Sequence, residues 1–202
     1  MADAMSSFPF SAAILAGGRA TRFGGRDKSA LVVGGITILE RQIAALASVS
    51  DDLLLVGAAR DARDARAIPD LVAGCGPLGG LQAALTAARH DRVFVVACDM
   101  PHVEAPLVRH LAALAGDADA VVPRTERGYH PLCAVYARGC LAAVTRHLAE
   151  RRFRMADLLA SLRVRVVETA DLEAFGDPQR LLANVNTPAE YAGVEALQGH
   201  ER

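Results

Sequence analysis

The sequence has no tryptophan, and aromatic residues make up only 4% of its 202 residues. Proteins that grip single-stranded nucleic acid do so largely through aromatic faces on which bases stack, so that class of partner is excluded. A basic excess is missing as well. The formal net charge is −1, whereas proteins that bind nucleic acid through its phosphates carry a surplus of lysine and arginine. No apolar run approaches the roughly 18 residues that a membrane span needs. The opening MADAMSSFPFSAAIL has no charged segment ahead of its apolar residues, which argues against a secretory signal. Cys75, Cys98, Cys133 and Cys140 form no C-x-x-C pair, which excludes a zinc ribbon. Their irregular spacing reads as reduced, buried thiols of a cytoplasmic protein. No Ser-His-Asp set and no carboxylate pair emerges from local spacing, so no covalent enzyme intermediate is expected.

What the sequence does have is apolar substance. Hydrophobic residues make up 52% of the chain, enough for a folded core in one domain. That domain is expected over residues 10–197, between flexible tails at 1–9 and 198–202. Short apolar runs at 10–15, 53–56, 93–97, 120–123, 132–136 and 164–167 read as strands. Helices are expected at 37–49, 78–89, 105–114, 141–150 and from Pro188 onward. Thr37 and Glu40 have capping-box spacing, and Leu39, Ile43 and Leu46 share one face of the helix they open. RDARDARA, residues 60–67, reads as a solvated loop or helix surface, and the acidic 117–119 as a charged loop before a strand. Strands that are apolar throughout are buried on both faces. The expected fold is therefore α/β: three-layer, Rossmann-like, with a mostly parallel sheet and helices on both faces. Ligands of such sheets bind beyond the carboxyl ends of the strands.

Two stretches fall at that edge. LAGGRATRFGGRDKSAL, residues 15–31, follows the first strand. Between Ala16 and Lys28 it sets Arg19, Arg22, Arg26 and Lys28 against Asp27, a net +3 within a nearly neutral protein. Glycines let backbone N–H groups turn toward a ligand and cations add Coulomb attraction, which together describe a phosphate cradle. A surface turn with incidental charges is the competing reading. The loop is neither G-x-x-x-x-G-K-[ST], because Asp27 precedes Lys28, nor G-x-G-x-x-G, because Gly17 and Gly18 are adjacent. The second stretch, CDMP, drives the strand VFVVA into Asp99. Asp also initiates turns well ahead of Met100-Pro101. Opposite a phosphate cradle, however, an acid suits Mg²⁺, which takes one or two carboxylates plus substrate phosphates and water. A cradle facing an acid is what phosphoryl or nucleotidyl transfer requires.

L-A-G-G-x-x-x-R-x-G-x-x-D-K at 15–28, GPLGGL at 76–81, CDMP at 98–101, HPLCAVY at 130–136 and NVNTPAEY at 184–191 together resemble the molybdenum cofactor guanylyltransferases. The first loop is shared by a wider superfamily of nucleotidyltransferases resembling nucleotide-diphospho-sugar transferases; the His-Pro segment and the ending point to this family. The resemblance implies attack on the α-phosphorus of GTP by the terminal phosphate of molybdenum-molybdopterin. The products would be the guanine dinucleotide cofactor and pyrophosphate. It implies that Leu15, Ala16 and Gly17 line the nucleotide, that Arg22 and Lys28 hold the triphosphate, and that Asp70 contacts the nucleotide. Arg22, Lys28 and Asp99 would be the catalytic set, with Asp99 binding Mg²⁺. A molybdopterin-donating protein and recipient molybdoenzymes or their chaperones are the partners it implies, with neither nucleic acid nor membrane involved. One departure is Gly57, where the family often has Asn.

The ending has a purely structural side: Thr187 caps, Pro188 takes the first helical position and Glu190 completes a capping box. Asn184 and Asn186 are left over and are assigned to the acceptor or phosphate side. His130, extended because Pro131 follows it, is either an acceptor-side residue that contacts the pterin or a hydrogen-bonded structural histidine. Arg151–Arg154, RRFR, is a solvated cluster that could steer an anionic acceptor. Two other readings stay open: the same chemistry with another nucleotide or acceptor, as in cytidylyl transfer or sugar-phosphate activation, and a nucleotide-binding sensor without catalysis.

Overall fold

The computed structural model of the chain describes residues 9–16, 31–58, 61–62, 64–69, 71 and 74–185. The elements in chain order are β1 (Ser11–Leu15), β2 (Val32–Val33), β3 (Ile36–Thr37), α1 (Ile38–Ala47), β4 (Asp52–Val56), β5 (Arg66–Ile68), α2 (Gly76–Ala87), β6 (Arg92–Ala97) and α3 (Ala105–Ala113). They continue with β7 (Ala120–Thr125), β8 (Gly128–Tyr129), β9 (Cys133–Ala137), α4 (Leu141–Ala149), α5 (Met155–Leu159), β10 (Val164–Val167), α6 (Thr169–Leu172) and α7 (Pro178–Leu181). The expected tails, the helix from Pro188 and the cap at Thr187 lie outside the described residues, apart from Pro9.

The main sheet runs β10-β7-β9-β6-β1-β4-β5, with β8 paired to β7. β1 is parallel to both β4 and β6, β5 is parallel to β4, and β10 to β7. β9 runs against both of its neighbours, β6 and β7. The reason is chain length. Only a short β7–β8 hairpin and a turn precede β9, and a parallel return needs a dozen or more residues of crossover.

Successive strand residues feed opposite cores. Ala12 and Ile14 of β1, with Phe94 and Val96 of β6, pack with Leu46 of α1, Leu107 and Leu111 of α3, Leu172 of α6 and Leu181 of α7. Ala13 and Leu15, with Val93 and Val95, pack with Leu78, Leu81 and Leu85 of α2, Val144 of α4 and Leu158 of α5. Apolar residues at both parities follow from a sheet covered on both faces, the three layers expected. Among the described residues no helix is long and apolar enough to cross a membrane.

Two local expectations are corrected. Arg66–Ile68, overlapping the end of the supposed solvated RDARDARA stretch, is the edge strand β5. An edge strand has one partner and an open side, so Arg66 stays partly exposed while its backbone pairs. In α1 the capping box forms as expected, yet the fully buried row is Ile38, Gln42 and Leu46, with Leu39 and Ile43 only partly buried. A polar side chain thus occupies the middle of the buried row.

At the amino ends of β1 and β4 lies a buried charge. Asp52 accepts hydrogen bonds from Ser11 Oγ at 2.6 Å, Arg66 Nη2 at 2.7 Å and the Arg89 N–H at 2.9 Å. Burial alone would raise the Asp52 carboxyl; these hydrogen bonds outweigh it and hold the carboxyl below its ordinary value. Removing one member of a buried pair costs about 3–5 kcal/mol. Arg66 keeps 41% of its side chain in water, so Asp52→Ala is expected at the lower end, about 3 kcal/mol by denaturant unfolding. Because the folded-state value is depressed, this contribution is full above the unfolded value of about 4 and disappears as pH falls through the folded one. The stability gap between parent and Asp52→Ala should therefore narrow below about pH 4 in thermal unfolding measured against pH.

Candidate active site at the carboxyl edge of the sheet

Strand register sets the site. Leu15 pairs with Val56 on one side and Ala97 on the other, so β1, β4 and β6 end on one line. Beyond that line the Ala16 N–H donates to the Val56 carbonyl at 2.8 Å, and the Cys98 N–H to the Leu15 carbonyl at 3.2 Å. The start of the glycine-rich loop and the CDMP turn therefore leave the sheet side by side, as expected. The Leu15 carbonyl and the Ala16 N–H are thus both engaged in the sheet. Gly17, Arg22, Lys28, Asp70 and Asn186 lie outside the described residues.

α2 approaches the same edge. GPLGGL forms its opening turns, earlier than the expected start at Leu78, with Pro77 tolerated in the first turn. A Cβ on Gly80 would come within 3.2 Å of Leu15 Cδ2, so the glycine permits close packing of the helix on the end of β1. No side chain caps the amino end of this twelve-residue helix, and a helix amino end favours anions. Gly57, just past β4, has φ of 84°. Glycine and asparagine are the residues that best tolerate that region. Glycine in place of asparagine thus keeps the backbone path and gives up only the side-chain amide.

Asp99 sits half-buried in the turn after β6. The Met100 N–H donates to the Ala97 carbonyl at 3.3 Å, and the Val185 N–H donates to the Asp99 carbonyl at 2.8 Å. The second bond brings Val185, and with it the exposed Asn184, to the Asp99 turn. A third element reaches it: Gln42 Nε2 of α1 donates to the carbonyls of Ala97 at 2.8 Å and Met100 at 2.9 Å. Sequence analysis missed Gln42. The available signal was an amide on the apolar face of an amphipathic helix, four residues from Ile38 and from Leu46, and a buried polar group is the informative exception.

Among the described residues no group of three or more His, Cys, Asp and Glu side chains could cage a metal. Among the described residues, the carboxylate in the turn after β6 is that of Asp99. Oxygen from a lone carboxylate suits a hard divalent ion that draws its remaining ligands from phosphates and water. Two of the cysteines are held as thiols: burial pushes the Cys133 thiol to about 12 and, with Asp119 adding to it, Cys140 to about 11.

On the far side of Asp99 the return from β8 to β9 carries His130. The Leu132 carbonyl accepts from the Ala97 N–H at 3.0 Å, tying this return to the root of the Asp99 turn. His130 Nε2 lies 2.8 Å from Thr125 Oγ1. It borders a recess of about 350 Å³ shared with Thr125, Arg127, Thr169, Gln179 and Leu182. Leu182 is two residues from Asn184, so the recess adjoins the NVN segment. Arg151, Arg152 and Arg154 are exposed, with Arg152 3.5 Å from Glu150, in keeping with a solvated cluster.

Residues 12–166 match the family of MobA-like NTP transferase domains. A protein of Pelotomaculum thermopropionicum named "Probable molybdenum cofactor guanylyltransferase" is 34% identical over 192 residues, 94% of this chain and 93% of its own. The "Molybdenum cofactor guanylyltransferase" of Desulfosudis oleivorans is 34% identical over 91% of this chain and 93% of its own. The crystal structure of molybdopterin-guanine dinucleotide biosynthesis protein A from Archaeoglobus fulgidus superposes with a TM-score of 0.79 at 25% identity, covering 94% of this chain and 99% of that one.

Burial lowers the basicity of His130, and the neighbouring Arg127 charge lowers it further. An NMR titration should give His130 a midpoint below the ordinary value of about 6.5, so that it is a neutral hydrogen-bonding group at pH 7. Arg127→Ala should raise the midpoint without restoring it fully, since burial is the larger cause.

Proposed function

The chain belongs to the MobA-like NTP transferase family and is a nucleotidyltransferase, and from that premise we propose that it transfers GMP from GTP to molybdenum-molybdopterin. An oxygen of the acceptor's terminal phosphate attacks the α-phosphorus of GTP. The bond from that phosphorus to the bridging oxygen breaks, and pyrophosphate leaves with the electron pair. The product is the guanine dinucleotide form of the cofactor. The relatives named as guanylyltransferases over more than nine-tenths of this chain support the choice of guanine.

One observation carries the reading. The Asp99 turn lies between Ala16, where the glycine-rich loop begins, and Val185, whose N–H bonds the Asp99 carbonyl at 2.8 Å. The starts of two other motifs are thus tied to the Asp99 turn, which supports a shared site for all three. In this reading Leu15, Ala16 and Gly17 border the nucleotide, Asp70 touches it, and Arg22 and Lys28 hold the triphosphate. Arginine grips phosphate oxygens with a planar fork, and lysine adds a point charge. Asp99 would hold Mg²⁺, which when bound neutralises charge building on the phosphates. The acceptor phosphate is already anionic and needs little help from a base, so positioning carries most of the rate. His130, Asn184 and Asn186 orient the acceptor, and the recess beside His130 receives its pterin end. A cytoplasmic setting, a donor protein that hands over molybdopterin and recipient molybdoenzymes or their chaperones complete the reading.

The test is pyrophosphate release from the protein with molybdenum-molybdopterin and each labelled nucleoside triphosphate in turn. Release with GTP is expected; use of CTP without GTP overturns the choice of nucleotide, and GTP binding without any pyrophosphate overturns the enzyme reading. Asp99→Asn should fold normally and lose about 10²–10³ in turnover, the usual cost of removing one charge-stabilising group. Lys28→Ala should weaken GTP binding, measured by calorimetry, as well as turnover.

A further inference from the structure

Gln42 lies in the middle of the buried row of α1, and its amide nitrogen bonds the carbonyls of Ala97 and Met100 at 2.8 and 2.9 Å. Those two carbonyls bracket Cys98 and Asp99. Both partners accept only, so the orientation of the amide is forced: its nitrogen must face the turn. Its Oε1 is buried and has no hydrogen-bond partner among the described residues. An apolar side chain would fill this place in the core without leaving an acceptor unsatisfied, so packing alone does not account for an amide here.

The rest of the turn shows what the amide adds. The Ala97 carbonyl also accepts from the Met100 N–H, at a longer 3.3 Å, and the Asp99 carbonyl accepts from Val185. Without Gln42 the turn keeps these bonds, together with those from the Cys98 N–H to the Leu15 carbonyl and from the Ala97 N–H to the Leu132 carbonyl, but it loses both hydrogen bonds from α1. We infer that Gln42 is a positioning residue for Asp99: through the two carbonyls on either side of it, the amide fixes the direction in which the Asp99 carboxylate is offered to the divalent ion of a bound nucleotide. This rests on the reading of Asp99 given above.

Gln42→Met keeps the length of the side chain and removes both donors. Gln42→Asn keeps the amide but is one methylene too short to span both carbonyls. Manganese(II) serves as the probe, with binding in the presence of GTP read from the electron paramagnetic resonance of the free ion. Both variants should raise the manganese dissociation constant about tenfold, the usual scale for a group that orients a metal ligand. GTP binding without metal should stay within about twofold of the parent, with a cooperative thermal transition. In an Asp99→Asn background, Gln42→Met should weaken manganese binding by less than about twofold more, because a residue acting through Asp99 has nothing left to orient, whereas general loosening would add. Manganese binding within about twofold of the parent in either single variant overturns the inference. If Asp99→Asn itself binds manganese as the parent does, the reading of Asp99 fails and the Gln42 inference with it. In the unaltered chain the side-chain amide protons of Gln42 should exchange with solvent as slowly as core backbone amides; rapid exchange overturns the clamp whichever variants fold.

Discussion

Parallel pairing of β1 between β4 and β6 is the constraint on which the rest depends. Parallel strands deliver their carboxyl ends to the same side, and the register puts Leu15, Val56 and Ala97 level with one another. Whatever follows those residues must emerge together. Ala16, where the glycine-rich loop begins, the tight turn at Gly57 and the turn at Asp99 leave one edge of the sheet because three apolar strands are in step. A slip of one residue would also turn every strand side chain to the opposite core. The packing that stabilises the sheet therefore also fixes the geometry of the crevice.

Around the crevice, backbone groups do the fastening. The Leu15, Ala97, Asp99 and Met100 carbonyls all accept hydrogen bonds from other parts of the chain. The reversal of β9 carries the chain back to the same edge on the far side of Asp99, where a half-buried histidine, a threonine and a recess stand ready. A nucleotide on one flank and an acceptor on the other would meet at the turn between them, with the reacting groups approaching from opposite sides of a fixed carboxylate.

Much of this was legible in the sequence, for stated physical reasons. Strands buried on both faces announce themselves as unbroken apolar runs, and Thr37 and Glu40 mark a helix start by local chemistry alone. The position of Asp99 at the end of a strand was legible because the apolar run VFVVA stops just before it. What escaped depends on partners distant in the chain. Hydrophobicity carries no strand direction, so β9 looked like its parallel neighbours. Arg66–Ile68 pairs only because β4 lies beside it, and its charges concealed the pairing. Gln42 and Val185 reach the Asp99 turn from 57 residues before and 86 residues after it, and neither shows the link in its own neighbourhood. The charged residues of the loop, Arg22 and Lys28, were read from composition and from resemblance, and that remains their footing.

The same three strands have another end. There Ser11 and Asp52, the first residues of β1 and β4, join with Arg66 and with the N–H groups of Arg89 and His90 just before β6. This polar knot ties the sheet where no substrate is expected. It anchors the strands at their roots by side chains, while at the opposite rim backbone carbonyls carry the fastening. Like a hand gripping a fan at its pivot, the buried carboxylate keeps the blades aligned and leaves their tips open to whatever they receive.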